Sequence, residues 1–221
     1  MIQALLWDLD GVLVNAMPLH EEAFLIAVHV EGKIDLTQQE HAQHYAGLPT
    51  KVKVAKLITE KRLDPRYAEA VVKAKQHWTQ EFITYRVHPD PSRIALLEHF
   101  QSHFRMGCVT NCIKKTTMDL LERSQLLKYV RECIVTNEDA LPKPSPEPYQ
   151  KACGLLEVDP REALVFEDHD VGMTSAFSAG CQATQIKTYE ELTVERVWDA
   201  IKKAELYLEE PDLPETPTEE V

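Results

Sequence analysis

The sequence predicts an α/β fold: a parallel sheet with helices on both faces, interrupted early by an all-helical insertion. Short apolar runs recur at Ile2–Leu6, Arg105–Thr110, Glu132–Thr136, Ala163–Phe166 and Gln182–Ile186, and short runs of this kind bounded by turn signals read as buried strands. Between the later runs lie stretches with helical spacing, such as Ile94, Leu97 and Phe100, then Met118, Leu121 and Leu126. Strands that alternate with helices build parallel sheets covered on both sides. The interval from 15 to 86 breaks this alternation, because it holds several helical segments and no convincing strand.

Taken in order, the first run passes from Ile2 to Leu6 into Trp7-Asp8-Leu9-Asp10-Gly11, a strand entering a turn. Within the insertion, Thr37-Gln38-Gln39-Glu40 has the spacing of a capping box, Gly47 fits a helix stop, and Pro65 precedes the long periodic stretch Arg66–Tyr85. The chain therefore divides into 1–14, the first strand and its loop; 15–86, the helical insertion; 87–205, the rest of the sheet domain; and 206–221, an acidic segment. From Glu205 onward there are acids and no bases, with Pro211, Pro214 and Pro217 interleaved. Such a composition buries too little apolar surface to offset its ordering entropy, so a disordered tail is expected.

Composition narrows the function. Of 221 residues, 24 are Lys or Arg against 36 Asp or Glu, a net charge of −12, which argues against nucleic acid or an anionic membrane surface as partner. No apolar run approaches the roughly 18 residues of a membrane span, and Asp8 cuts the opening run short of a secretory leader. A soluble, cytoplasmic protein is expected. Its five cysteines contain no CxxC pair and read as reduced thiols. Cys108 and Cys112 read as small buried apolar residues rather than metal ligands, since no second Cys/His pair completes a site.

In an open parallel sheet, ligands bind beyond the carboxyl ends of the strands. The strand ends here supply Asp8 and Asp10, then Thr110 and Asn111, then the proline-rich loop carrying Lys143, then Glu167 and Asp168. Four carboxylates in one crevice need a hard cation, and oxygen ligands of this kind suit Mg²⁺. Like-charge repulsion should raise the pKa of one of them, the condition for a general acid near neutral pH. A phosphate could be held by the metal, Lys143, the Thr110 hydroxyl and helix N-terminal amides. The set suits phosphoryl transfer.

Asp8-Leu9-Asp10-Gly11-Val12-Leu13-Val14, Val109-Thr110-Asn111, Lys143-Pro144-Ser145-Pro146-Glu147-Pro148-Tyr149, and Val165-Phe166-Glu167-Asp168 with Gly172 together resemble the four ordered motifs of the haloacid dehalogenase superfamily. The nearest likeness is to the subgroup of beta-phosphoglucomutase, phosphoglycolate phosphatase and sugar-phosphate phosphatases. The resemblance implies a Rossmann-like parallel-sheet core with a helical cap inserted after the first strand. It implies Asp8 as nucleophile, forming an aspartyl-phosphate, and Asp10 as general acid and then base. Mg²⁺ would be held by the Asp8 carboxylate, the Asp10 backbone carbonyl and Asp168, with Glu167 in or next to that shell. Thr110 and Lys143 would hold phosphoryl oxygens, together with backbone amides near Gly11 and Asn111.

Asp10 and Leu9 separate this chain from the superfamily's dehalogenases, which lack the second aspartate, and from its transport ATPases, which carry Lys after the nucleophile. The resemblance thus implies a Mg²⁺-dependent phosphatase acting on a small phosphorylated metabolite, with one chain sufficient for the chemistry. A phosphomutase is the alternative, and a non-catalytic phosphate-binding protein on the same scaffold is a third. Several positions depart from the family pattern. Asn15 and Ala16 replace an Asp-Ser pair before the cap, and His169-Asp170 stand where a Ser follows the acidic pair. His20 could reach Asp10 on cap closure. His169 is expected to face solvent from its loop. The cap turn Gly47-Leu48-Pro49-Thr50-Lys51 offers Thr50 about where a mutase has arginine, with Lys51 beside it, and this favours hydrolysis.

Overall fold

The structure, a computed structural model, describes residues 1–209. The chain opens with strand β1 (Ala4–Trp7) and leaves it for helices α1 (Met17–Val30), α2 (Gln38–His44), α3 (Thr50–Thr59) and α4 (Ala68–Arg86). It then alternates through α5 (Pro91–Phe100), β2 (Arg105–Val109), α6 (Lys114–Arg123), α7 (Leu127–Val130), β3 (Ile134–Val135), α8 (Glu147–Leu156), β4 (Ala163–Glu167), α9 (Asp170–Ser178), β5 (Gln182–Gln185) and α10 (Val194–Glu209). The five strands form one parallel sheet in the order β3-β2-β1-β4-β5. The expected fold is present, with the helical segment placed between β1 and β2.

The centre of the sheet is buried on both faces, as parallel sheets require. Alternate residues point to opposite sides: Leu5 and Trp7 join the larger core with α5, α6 and α10, while Ala4 and Leu6 join the smaller one under α8 and α9. Trp7 stacks on Phe166 of the neighbouring strand with ring centroids 4.5 Å apart. The helical insertion has its own core around Phe24, Tyr45, Val54 and Leu57, and Phe82 and Ile83 of α4 tie its base into the sheet domain.

Local signals explain the element ends. The capping box forms as expected: Glu40 N–H donates to Thr37 Oγ1 at 3.1 Å and Thr37 N–H to Glu40 Oε2 at 2.9 Å. Asp90 accepts from Ser92 N–H at 2.8 Å and starts α5, with Pro91 in its first turn. The helix stop expected at Gly47 comes earlier, since α2 ends at His44. Gly47 instead turns the chain toward α3. The third strand shrinks to two residues, and α10 runs to Glu209, past the boundary drawn at 205. Residues 210–221, where the expected disordered tail falls, lie outside the described residues.

Strand order positions the site. From β1 the connections run to β2 and β3 on one side, with β4 and β5 on the other. The crevice at such a reversal, beyond the strands' carboxyl ends, is where open α/β sheets bind ligands. Here the helical insertion roofs it.

Candidate active site

Asp8, Asp10, Thr110, Asn111, Lys143, Glu167 and Asp168 all line one cavity of ≈ 700 Å³, which His20, Thr50 and Lys51 border from the cap. On the sheet side, Asp8 follows β1 directly, and its N–H donates to Phe166 O at 2.9 Å. Lys143 reaches in from the loop after β3. Its Nζ donates to Asp8 Oδ1 at 2.6 Å, to Val109 O at 2.7 Å and to Glu167 Oε1. Three contacts use all three donors of an ammonium. The Tyr149 hydroxyl donates to the same Glu167 oxygen at 2.6 Å. Asn111 fixes the lysine's backbone: its Oδ1 accepts from Lys143 N–H at 2.8 Å and its Nδ2 donates to Lys143 O at 3.2 Å. The Asn111 side chain therefore clamps the loop, which leaves its amide rather than its side chain free for a ligand.

Glycines make room for the two acids at the end of β4. Gly11 holds a φ of +88°, and a Cβ there would meet Asp168 Oδ2 at 2.3 Å. At Gly172 a Cβ would fall 1.9 Å from the Glu167 carboxyl carbon. Only glycine fits either place. Gly11 gives its own N–H to Val14 O at 2.8 Å, while the amides of Leu9 and Asp10, beside the expected position, have no partner among the described residues.

Burial raises Asp8 well above the usual carboxylate range, with Glu167, Asp168 and Asp10 adding against the pull of Lys143. Asp168 is pushed up to about 7 by burial, Glu167 and Asp10. Burial alone would lower Lys143; Asp8 and Glu167 overcome it and leave the ammonium more basic than usual. Asp10 moves the other way. Burial acts to raise it, but His20 and Cys112 outweigh that and hold it lowered. The upward shift expected of one carboxyl thus falls on Asp8 and Asp168, and Asp10 rests as a carboxylate accepting two hydrogen bonds.

Those two bonds come from His20 Nε2, 3.1 Å from Asp10 Oδ1, and from Cys112 Sγ, 2.9 Å from Oδ2. Lys75 Nζ lies 3.2 Å from His20 Nδ1. An ammonium only donates, so Nδ1 accepts and Nε2 carries the proton given to Asp10. Cys112 is thus not the buried apolar residue expected, although Cys108 is. Asp10, His20 and Cys112 bring three ligand-type atoms together, but the Lys75 ammonium behind the imidazole makes this a poor place for a second cation.

The cap side differs further from expectation. Lys51 is exposed and Thr50 sits in the first turn of α3. The lysine that turns inward is Lys53, 7 % exposed, whose Nζ lies 2.9 Å from His41 Nε2. Helical spacing carried this signal, because Lys53 precedes Val54 by one residue and Leu57 by four, on the face that packs inward. Lys75 likewise sits between Val71 and Thr79, both buried. His169 is half-buried rather than turned fully to solvent. Its ring approaches Gly47 of the cap turn, and its Nδ1 accepts from Val171 N–H at 3.3 Å, capping α9.

The acidic set fits a hard divalent cation. Asp8, Glu167 and Asp168 offer oxygen atoms within 4.8 Å of one another, and Asp168 takes no side-chain hydrogen bond from another described residue. Its raised pKa marks negative charge that the protein alone leaves uncompensated.

Comparison with known proteins identifies the family and the fold. The chain is 28% identical over 187 residues to a phosphoglycolate phosphatase of Thiobacillus denitrificans, covering 81% of each chain. It is 25% identical over 185 residues to a phosphorylated carbohydrates phosphatase of Thermotoga maritima, covering 82% of this chain and 83% of that one. Its fold matches the crystal structure of beta-phosphoglucomutase from Clostridium difficile with a TM-score of 0.79 at 17% identity, over 93% of this chain and all of that one. The signature of haloacid dehalogenase-like hydrolases extends over residues 5–186, and the chain belongs to that family.

Proposed function

We propose that the protein is a Mg²⁺-dependent phosphatase of a small phosphorylated metabolite, working through a phosphorylated Asp8. The observation that carries this reading is the pairing of Asp8 and Asp10 at the end of β1, each in a different electrostatic setting. Asp8 lies against the Lys143 ammonium, where an incoming phosphoryl group would be charge-matched. Asp10 lies on the side of the cap, in contact with His20, where a leaving oxygen would emerge.

In this reading Asp8 attacks phosphorus and the ester oxygen departs with a proton from Asp10. Asp10 then takes a proton from the water that attacks the aspartyl-phosphate, and phosphate leaves. The acid step needs Asp10 protonated. The incoming phosphate dianion supplies the negative charge that shifts it upward. The Thr110 hydroxyl and the open amides of Leu9, Asp10 and Asn111 hold the phosphoryl oxygens, beside the positive charge of Lys143. Asp8, the Asp10 carbonyl and Asp168, with Glu167 beside them, would hold Mg²⁺, which supplies charge neutralisation and orientation. One chain contains every group named.

Among the described residues no arginine lines the cavity, which supports hydrolysis over mutase chemistry. The test is phosphate release from a panel of phosphorylated metabolites and an aryl phosphate, with Mg²⁺ and again with EDTA. Metal-dependent release that Asp8→Asn abolishes is expected. Isomerisation of a sugar phosphate without phosphate release would instead identify a mutase, and no turnover of any kind would point to a binding protein.

A further inference from the structure

Lys53 and Lys75 are the cavity's unusual cations. Among the described residues neither forms an ion pair with a carboxylate, and each is bonded to one histidine nitrogen, of His41 and His20 respectively. Each ammonium has three donors, so most of this capacity is unused. Lys53 Nζ also lies 5.1 Å from the centre of the Phe24 ring, a contact that cannot replace water or an anion for a group this buried. Both line the cavity, together with Asp10 and His20. Burying an ammonium without a counter-charge is costly. Lys53 is buried and Lys75 half-buried, and two such groups on one wall mark a place where the counter-charge arrives with the ligand.

The position of the pair says which end of the ligand this is. Lys75 stands one imidazole ring behind Asp10, whereas Lys143 is bonded directly to Asp8. A phosphoryl group at Asp8 leaves the rest of the molecule pointing past Asp10 toward these lysines. We propose that the physiological substrate is a phosphate ester with a second anionic group, a carboxylate or another phosphate, which Lys53 and Lys75 hold through the leaving-group end. This rests on the phosphatase reading for the direction of the ligand, though not for the existence of the anion site.

Binding of three phosphonates that cannot be hydrolysed tests the proposal without turnover: propylphosphonate, 3-phosphonopropionate and propane-1,3-bisphosphonate. Calorimetry on the full chain should show one or both doubly anionic probes binding at least about tenfold tighter than propylphosphonate, the value of one charge-assisted contact. Lys53→Met and Lys75→Met should each shrink that gap about tenfold, and Lys53→Arg should retain it. The probe with the larger gap identifies the second group as carboxylate or phosphate. Equal affinity for all three probes in the unaltered protein overturns the proposal, as does a gap that survives both Lys→Met changes. A lysine-dependent gap in a protein that hydrolyses no ester would overturn the phosphatase reading and leave the anion site standing.

Discussion

On the sheet side of the cavity, Lys143 gives its three donors to Asp8, Val109 and Glu167, whereas on the cap side Lys53 and Lys75 each bond a single histidine nitrogen. Burial is similar, with Lys143 at 5 % exposed and Lys53 at 7 %, yet their basicities separate. Paired carboxylates leave Lys143 more basic than a free lysine. Lys53 falls to about 7 through burial and the neighbouring Lys75. The difference lies in where the compensating charge comes from. Lys143 is neutralised by the fold and can act as fixed machinery, while Lys53 is left for a ligand to neutralise.

One substitution made on both walls should therefore have opposite effects on stability. Lys143→Met leaves Asp8 and Glu167 buried without their cation, a loss of about 3–5 kcal/mol, read as a fall in Tm of about 10 °C. Lys53→Met removes an uncompensated charge and should raise Tm in the unliganded protein. Similar destabilisation by both changes would break the comparison. The gain has a pH signature. Lys53 is faced by His41 of α2, Lys75 of α4, Glu21 of α1, and Cys112 and Asp10 of the strand-end loops, and it titrates near 7 when folded against 10.5 when free. The unfolded chain holds that proton up to the higher value, so the cost of Lys53 is complete below neutrality and fades as pH rises toward 10.5. The Tm advantage of Lys53→Met should be largest in acid and vanish in base.

A smaller effect is expected at the boundary between the walls. Asp10→Asn should slow hydrolysis of alkyl phosphates by about 10²-fold while affecting an aryl phosphate less, because a good leaving group needs no proton. Equal losses on both substrates would remove Asp10 from the acid–base role. The smallest is at Asn111, whose side chain makes two bonds to the Lys143 backbone. Asn111→Ala should cost about 1–2 kcal/mol, measured by denaturant unfolding, and should loosen the sheet wall without touching the cap.

The sheet wall was the more legible in the sequence, for a physical reason. Its residues stand at fixed places after short buried strands, so Asp8, Lys143 and Asp168 could be read from run, turn and motif, and in the structure they meet. The cap wall is assembled from separate helices whose crossing no local pattern encodes. Lys51 looked available because it neighbours a turn, but Lys53 is the lysine that faces inward. His41, in a short polar helix, showed no ligand spacing, yet it meets Lys53 across the cap. Cys112 and His169 were misread because a loop residue's direction depends on what packs opposite it, here Asp10 and the cap turn at Gly47. The lowered pKa of Asp10 also required the fold, since His20 comes from the insertion and Cys112 from the loop after β2.

The phosphorylated Asp8 is the central claim, and chemical trapping tests it most directly. Borohydride added during turnover reduces an acyl phosphate to the alcohol, so peptide mass spectrometry should find homoserine in place of Asp8, dependent on substrate and on Mg²⁺. Turnover that leaves Asp8 unmodified, or that marks a different carboxylate, would contradict the account.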